Sequence, residues 1–476
     1  MKRIAVIGGG ISGLSAAFSL EQNRRAGAPI QYVLYESSPR LGGVLLTERV
    51  DGFVIEAGPD SFLTEKQYAA DLCRRVGLAD QLITSNDAER KTYILVKGKL
   101  VAIPEGLMFM VPTKILPTVF SPLFSLGTKL RVARECFQAR RKADLDETVA
   151  AFFERHYGRE MVERVADPLL SGIYGGEASQ LSVRAVLPRF VELESTHGSL
   201  GRAMLASRRK AESTPARPLF TSLKSGMQQM VDAIVNDLLP ATARLNTRVD
   251  AIHRREVDWL VSAGAKSDTF DAVVVAIPAQ AAARLLQANS PELASELASI
   301  HYGSSVTVAL GYDQEVRSYL PPGFGFLVPR SEGKSLLATT FVHQKFPYRA
   351  PEGQALIRCF LGGTSNEDIL QISEKEIVQI VRNELREILG IHAAPLLSRV
   401  YRWKSSMAQY EVGHLERLER IKNLRNQLPA LALAGNGYDG IGVPDCVRSG
   451  MSAVLHVFAS LGLATTEPAA KVSQTA

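Results

Sequence analysis

Lys2-Arg3-Ile4-Ala5-Val6-Ile7-Gly8-Gly9-Gly10-Ile11-Ser12-Gly13 is the stretch that decides the fold. A short apolar strand runs into Gly8-x-Gly10-x-x-Gly13, and a helix opens directly behind it. That is the sequence form of a dinucleotide pyrophosphate site. Gly8 permits the tight turn, Gly10 lets the backbone approach the phosphates, and Gly13 lets the helix lie close on the strand. Ile11 and Ser12 fill the turn and share the phosphate contact. The diphosphate then rests on unpaired N–H groups at the positive end of the helix dipole.

Working outward, Leu14, Ala17 and Phe18 give the helix an apolar face, and Pro29 punctuates the chain. Ile30-Gln31-Tyr32-Val33-Leu34-Tyr35 reads as a second strand, ending in Glu36 with Ser37 behind it. Glu36 lies 23 positions past the last glycine (36 − 13), where a carboxylate that accepts from a ribose hydroxyl belongs. Strand, glycine turn, helix, strand and acid together define a βαβ nucleotide unit. At this point NAD and FAD both remain open.

With 476 residues the chain is too long for one core and should divide into two or three domains. Its composition, 46% hydrophobic and 22% charged, is that of an ordinary globular protein. The net charge of +6 (55 basic minus 49 acidic) suits an anionic substrate or an acidic membrane surface. No nucleic-acid motif accompanies it, and Arg208-Arg209-Lys210 reads as solvated loop. Cys73, Cys136, Cys359 and Cys446 lie far apart without a CxxC, so neither a metal centre nor a disulfide framework is expected. The chain opens directly on its first strand with no targeting segment, which predicts a cytoplasmic location.

No run of about 18 apolar residues is present, so no membrane-spanning helix is expected. Residues 106–127 come nearest: Lys114 is their only charge, but Pro112, Pro117 and Pro122 interrupt them. Lys129, Arg131, Arg134, Arg140, Arg141 and Lys142 follow. Two readings stand here: a buried cover over a substrate cavity, or a peripheral contact with the inner face of the cell membrane.

Further segments choose between the dinucleotides. Arg40-Leu41-Gly42-Gly43 follows the ribose acid, then Phe53-Val54-Ile55 and Glu56-Ala57-Gly58-Pro59. The glycine pair brings backbone close to the phosphates, and Arg40 can complement their charge. Mid-chain, Leu223-Lys224-Ser225-Gly226-Met227 precedes an amphipathic helix and Arg244-Leu245-Asn246-Thr247-Arg248-Val249-Asp250. Asp271-Ala272-Val273-Val274-Val275-Ala276-Ile277-Pro278 reads as a buried parallel strand. Near the end, Ala430-Leu431-Ala432-Leu433-Ala434-Gly435-Asn436 leads to Gly440-Ile441-Gly442-Val443-Pro444-Asp445-Cys446 and another helix.

In this order the motifs resemble those of a large FAD-binding superfamily that includes monoamine oxidases, phytoene desaturases and protoporphyrinogen oxidases. The resemblance departs at Val44, where many members carry a basic residue. It implies an α/β fold: a Rossmann-like FAD-binding domain from 1–85, 220–285 and 425–476, an inserted α+β substrate domain from 86–105 and 286–424, and a helical, membrane-facing subdomain at 106–219. It also implies that Val249 meets the adenine through its backbone. Gly58, Pro59, Asp60, Ser61, Gly435, Gly442, Val443 and Pro444 would line the flavin, with a helix N-terminus stabilising the reduced ring.

Gly58-Pro59-Asp60-Ser61-Phe62, Pro168-Leu169-Leu170-Ser171-Gly172-Ile173-Tyr174-Gly175-Gly176 and Gly442-Val443-Pro444-Asp445-Cys446 are similar to strings of the Gram-positive-type protoporphyrinogen and coproporphyrinogen III oxidases. That likeness implies six-electron oxidation of a porphyrinogen to the porphyrin in haem biosynthesis, with molecular oxygen reduced to hydrogen peroxide. A large apolar substrate with rim carboxylates requires apolar walls and basic anchors. Ile173, Phe324, Phe326, Phe341 and Val342 are the expected walls, and Lys66 the expected anchor. Asp60 is the nearest motif carboxylate and the candidate base; an ordering role beneath the flavin is the reading preferred here. Cys446 does not stand in the Ser-Gly-Gly-Cys context of flavin-linked amine oxidases, so FAD should be non-covalent. The resemblance leaves room for a homodimer and for hand-over of product to the next haem-pathway enzyme. An amine oxidase, a carotenoid desaturase and a flavin-binding protein without turnover are the alternatives.

Overall fold

A computed structural model describes residues 1–108, 110–112, 115–141, 145–211, 218–364 and 366–465. Lys114 and Lys142 therefore lie outside the described residues, as do the side chains of Arg208, Arg209 and Lys210. A five-stranded parallel sheet runs in the order Ala243–Arg244, Ile30–Tyr35, Lys2–Ile7, Ala272–Val275, Leu431–Leu433. Ile4 pairs with Tyr32 on one side and Ala272 on the other, so the opening strand is central. Ala272–Val275 is buried throughout, as a strand covered on both faces must be. Pairing on this edge ends at Arg244, and residues 246–250 run on without strand geometry.

Two helices cover one face of this sheet. The glycine-loop helix Ile11–Arg25 and the closing helix Val443–Leu461 cross in direct contact. A Cβ at Gly450 would sit 2.1 Å from the Ser12 carbonyl oxygen, so only glycine allows this approach.

A second sheet of seven strands is ordered Leu397–Ala408, Tyr302–Tyr312, Ala355–Gly362, Leu336–Phe341, Gly325–Leu327, Thr92–Val96, Lys99–Ala102. Its pairings are antiparallel except between Gly325–Leu327 and Thr92–Val96. The amphipathic helix Glu374–Leu389 presses Ile377, Val381 and Leu385 onto one face, against Val308, Ile357 and Cys359. Ser373 and Glu376 form its capping box, and Gly390 closes it with φ +74°.

Strand alternation then corrects one expectation. Phe326 pairs with Thr339, which pairs with Cys359, and Phe326 and Phe341 belong to the same cluster as the helix residues. These two phenylalanines are core, 1% and 0% exposed, and not cavity walls. The opposite face presents their neighbours, including Arg358, which reaches the loop after Phe53–Glu56.

The helical part centres on Phe152, Phe153 and Tyr157 of the helix Val149–Tyr157. Among the described residues no helix is long and apolar enough to cross a membrane.

Candidate flavin and substrate site

The glycine turn has the shape a diphosphate requires. Gly8 has φ +107°, and a Cβ there would lie 2.4 Å from the Ala276 carbonyl oxygen. A Cβ on Gly13 would lie 1.8 Å from the Gly8 oxygen, whereas one on Gly10 would meet nothing within 4 Å. Gly8 and Gly13 are thus required by packing, and Gly10 faces open space. Gly42 donates its N–H to the Gly9 oxygen at 2.8 Å, and a Cβ on Gly43 would come 3.1 Å from the Gly10 Cα. Both glycine motifs therefore build one backbone cradle.

Glu36 braces that cradle. Its Oε2 accepts from Gly9 N at 2.7 Å, and its Oε1 accepts from Ser38 N at 2.7 Å and the Ser37 hydroxyl at 3.3 Å. Arg40 donates to the carbonyls of Leu41 and Leu45 at 3.2 Å and to that of Gly43, holding the second glycine loop closed. Asn246 N and Thr247 N bond to the carbonyls of Ser38 and Glu36. This leads Val249, 7% exposed, past the end of the second strand.

The closing helix completes the arrangement. Gly442 is its N-cap, with Val443 and Pro444 in its first turn, and Cys446 touches Ser12 in the first turn of the glycine-loop helix. Two helix N-termini thus converge, an anion-favouring geometry. The cradle, the brace and the paired helix ends fit FAD. Burial pushes the Cys446 thiol up to about 12, so it stays protonated. Gly435 N bonds to the Ser449 hydroxyl at 3.1 Å, tying the preceding strand to the same helix.

Asp60 sits in an ion cluster that the sequence did not reveal. Its carboxylate, 15% exposed, lies 3.1 and 3.2 Å from Lys345 Nζ and 3.8 Å from Arg358 Nη1, and accepts from Ser61 at 2.6 Å. Burial alone would raise its pKa, but Lys345 and then Arg358 outweigh it and hold the carboxyl well below its usual range. Arg358 also donates to the carbonyls of Gly58 and Ala57, and Trp403 Nε1 donates to Ala57 at 2.8 Å. The seven-stranded sheet thereby grips the Gly58-Pro59-Asp60 loop. An arginine inside the apolar strand Ala-Leu-Ile-Arg-Cys-Phe-Leu-Gly was the one available signal of this contact.

Lys66 lies 2.7 Å from Asp445 in the first turn of the closing helix. Ile173, on the helix Asp167–Tyr174, is 44% exposed, as a wall open to ligand requires. Phe324 and Val342 are buried, 8% and 5% exposed. Tyr174, next to Ile173, feels the Asp445 charge, which brings the Asp167–Tyr174 helix and the flavin corner together.

Residues 11–457 match the flavin containing amine oxidoreductases. Coproporphyrinogen III oxidase of Bacillus subtilis strain 168 is 35% identical over 95% of this chain and 97% of its own. The enzyme of the same name from Staphylococcus aureus is 31% identical over 97% of this chain and all of its own. The chain belongs to the flavin-containing amine oxidoreductases, in their porphyrinogen oxidase branch. A crystal structure assigned to a protoporphyrinogen oxidase of Exiguobacterium sp. 255-15 superposes with a TM-score of 0.87 at 31% identity, covering 97% of this chain and 99% of that one. The family makes the protein an FAD-dependent oxidoreductase and accounts for the Rossmann-like sheet, the double glycine cradle and the paired helix ends.

Proposed function

We propose that this protein oxidises coproporphyrinogen III, or its decarboxylated relative protoporphyrinogen IX, to the porphyrin, using molecular oxygen and releasing hydrogen peroxide. The single observation that carries this is full-length likeness to coproporphyrinogen III oxidases on a chain whose glycine cradle is intact. Bound FAD supplies the two-electron acceptor chemistry. The chain's own residues bind and orient. Gly8, Gly10, Gly13, Gly42 and Gly43 take the diphosphate, Glu36 the ribose and Val249 the adenine. Gly58 to Ser61, Gly435 and Gly442 to Pro444 take the flavin, held without a covalent bond.

No proton need pass through Asp60, because the two neighbouring cations make its carboxylate a weak proton acceptor. Loss of hydride from a bridging carbon leaves a conjugated cation whose pyrrole protons can leave to water, so orientation does most of the work. Ile173 serves as a wall and Lys66 as the anchor for a rim carboxylate. Side-by-side oxidation of both porphyrinogens, followed by porphyrin fluorescence and oxygen uptake, tests the reading; neither product forming would reject it.

The division into domains at 1–85, 220–285 and 425–476, at 86–105 and 286–424, and at 106–219 belongs to this proposal. Strand membership supports it: every strand of the parallel sheet falls in the first set, and every strand of the seven-stranded sheet in the second. Peripheral contact of the 106–142 region with an anionic membrane is also proposed. Leu116, Phe120, Leu126, Leu130 and Phe137 are 67–87% exposed, beside exposed Arg131, Arg134, Arg140 and Arg141. Co-sedimentation with vesicles containing anionic lipid tests this; equal recovery with and without vesicles would reject it.

A further inference from the structure

The segment from Ala434 to Gly442 joins the strand Leu431–Leu433 to the closing helix and carries the flavin corner. Residues 434–440 have neither helix nor strand geometry, so their backbone groups need partners from elsewhere. Tyr410, 3% exposed, supplies two of them. Its hydroxyl donates to the Asn436 carbonyl and accepts from Gly440 N, both at 2.8 Å. Burial raises its pKa well above the ordinary value, so the proton needed for donation stays in place.

Asn436 and Gly440 have the spacing of a one-turn backbone hydrogen bond. The phenol oxygen stands between that carbonyl and that N–H, so the turn is held open by one oxygen atom. Gly440 has no room to adjust: its φ is +121°, and a Cβ there would lie 2.5 Å from Asp445 Cγ. Asp445 is in turn the partner of Lys66. Nor can the tyrosine swing away. Its ring stacks on His414 at 4.1 Å and 13°, and the fully buried His414 donates Nε2 to the Tyr438 carbonyl at 3.2 Å. The preceding residue, Gln409, donates Nε2 to the Tyr174 carbonyl at 2.8 Å, beside Ile173 on the wall helix. One dipeptide therefore holds both the substrate wall and the flavin corner.

We propose that Tyr410 is a positioning residue for the reaction: its hydroxyl sets the opening of the 436–440 turn, and with it the placement of Gly442 and the closing-helix N-terminus against the flavin. This rests on the reading that Gly442 to Pro444 take the flavin. Deleting the hydroxyl leaves two outcomes, a turn that closes on itself or two buried backbone groups without partners. Either displaces the corner and leaves the diphosphate cradle as it is.

Tyr410→Phe, studied as the FAD-loaded enzyme, tests it; the variant keeps the ring and its stack on His414. Its flavin absorption band should shift from that of wild type, and kcat should fall about tenfold at an unchanged KM for coproporphyrinogen III. Tyr32→Phe controls for lost stability alone, because it deletes a buried phenol bond to Glu21, 3.0 Å long, in the parallel sheet. That variant should keep the wild-type flavin band and kcat. A wild-type spectrum, a wild-type kcat or a loss carried by KM in Tyr410→Phe would overturn the proposal, as would an equal spectral shift in Tyr32→Phe. Gly442→Ala separates the underlying reading: a wild-type flavin spectrum and FAD affinity in that variant would show that the corner does not take the flavin.

Discussion

Lys66 Nζ lies 2.7 Å from Oδ2 and 3.0 Å from Oδ1 of Asp445, joining residues 379 positions apart. The ammonium is 44% exposed and the carboxylate 10%, so the pair opens outward from the lysine. An incoming rim carboxylate must share an ammonium that already has a partner.

Lys66→Met should therefore raise KM for coproporphyrinogen III about fivefold, with kcat within about twofold, since a partly exposed charged hydrogen bond contributes about 1 kcal/mol. Asp445→Asn should move KM the other way, because the ammonium loses its competing anion. Steady-state kinetics on both variants check this. Equal KM values in all three proteins would show that Lys66 does not meet substrate.

Asp60→Asn should cost stability before it costs chemistry. Removing the carboxylate leaves Lys345 and Arg358 buried without their counter-ion, a loss on the order of 3–5 kcal/mol. FAD-loaded molecules should retain turnover to within about tenfold, as for a residue outside the proton-transfer step. Denaturant melts and flavin-normalised rates separate the two effects. Normal FAD binding with a rate loss of several orders of magnitude would restore Asp60 as a base.

Gly10→Ala and Gly13→Ala should fail differently. Gly13→Ala drives a methyl into the Gly8 carbonyl oxygen, so the βαβ unit itself should be destabilised. Gly10→Ala meets no protein atom, so the apoprotein should melt normally while FAD affinity falls at least about tenfold, as close backbone approach to phosphate is blocked. Flavin fluorescence titration and apoprotein melting distinguish them.

His156 predicts a pH dependence in the helical part. The buried ring has Nδ1 3.2 Å from Glu135 and Nε2 3.2 Å from Glu194, with Arg155 at 3.5 Å. Burial opposes protonation, but hydrogen bonds to Glu135 and Glu194 outweigh it and raise the pKa above its ordinary value. A raised folded pKa gives stability that is complete below about 6.5 and is lost as pH climbs through the folded value. The Tm advantage of wild type over His156→Gln should thus shrink as pH rises above about 6.5. Calorimetry at several pH values checks it; a constant difference would refute the paired imidazolium.

The nucleotide unit was legible because its signals are local. Strand Ile30–Tyr35 has the limits its apolar run suggested, and the helix begins at Ile11, inside the glycine motif. Ala272–Val275 was readable from an unbroken apolar run, because a parallel strand is buried on both faces. Val249 lies beyond Arg244, the last paired residue on that edge, and local sequence does not show where a strand loses its partner. Phe326 and Phe341 were taken for walls because aromatic character says nothing about which face of a strand a residue occupies.

By itself the sequence determined the dinucleotide fold, whose short motifs have a geometry set within a few residues, and its resemblance to known strings marked the FAD class and the porphyrinogen branch. Tertiary structure alone decided which charges meet: Lys66 with Asp445, and Asp60 with Lys345 and Arg358. These partners come from segments hundreds of residues apart, and no local periodicity encodes the distance between them. Burial then shapes their chemistry: a carboxylate held beside two cations in a dry interface is a weak proton acceptor, which suits the loop-ordering role proposed for Asp60.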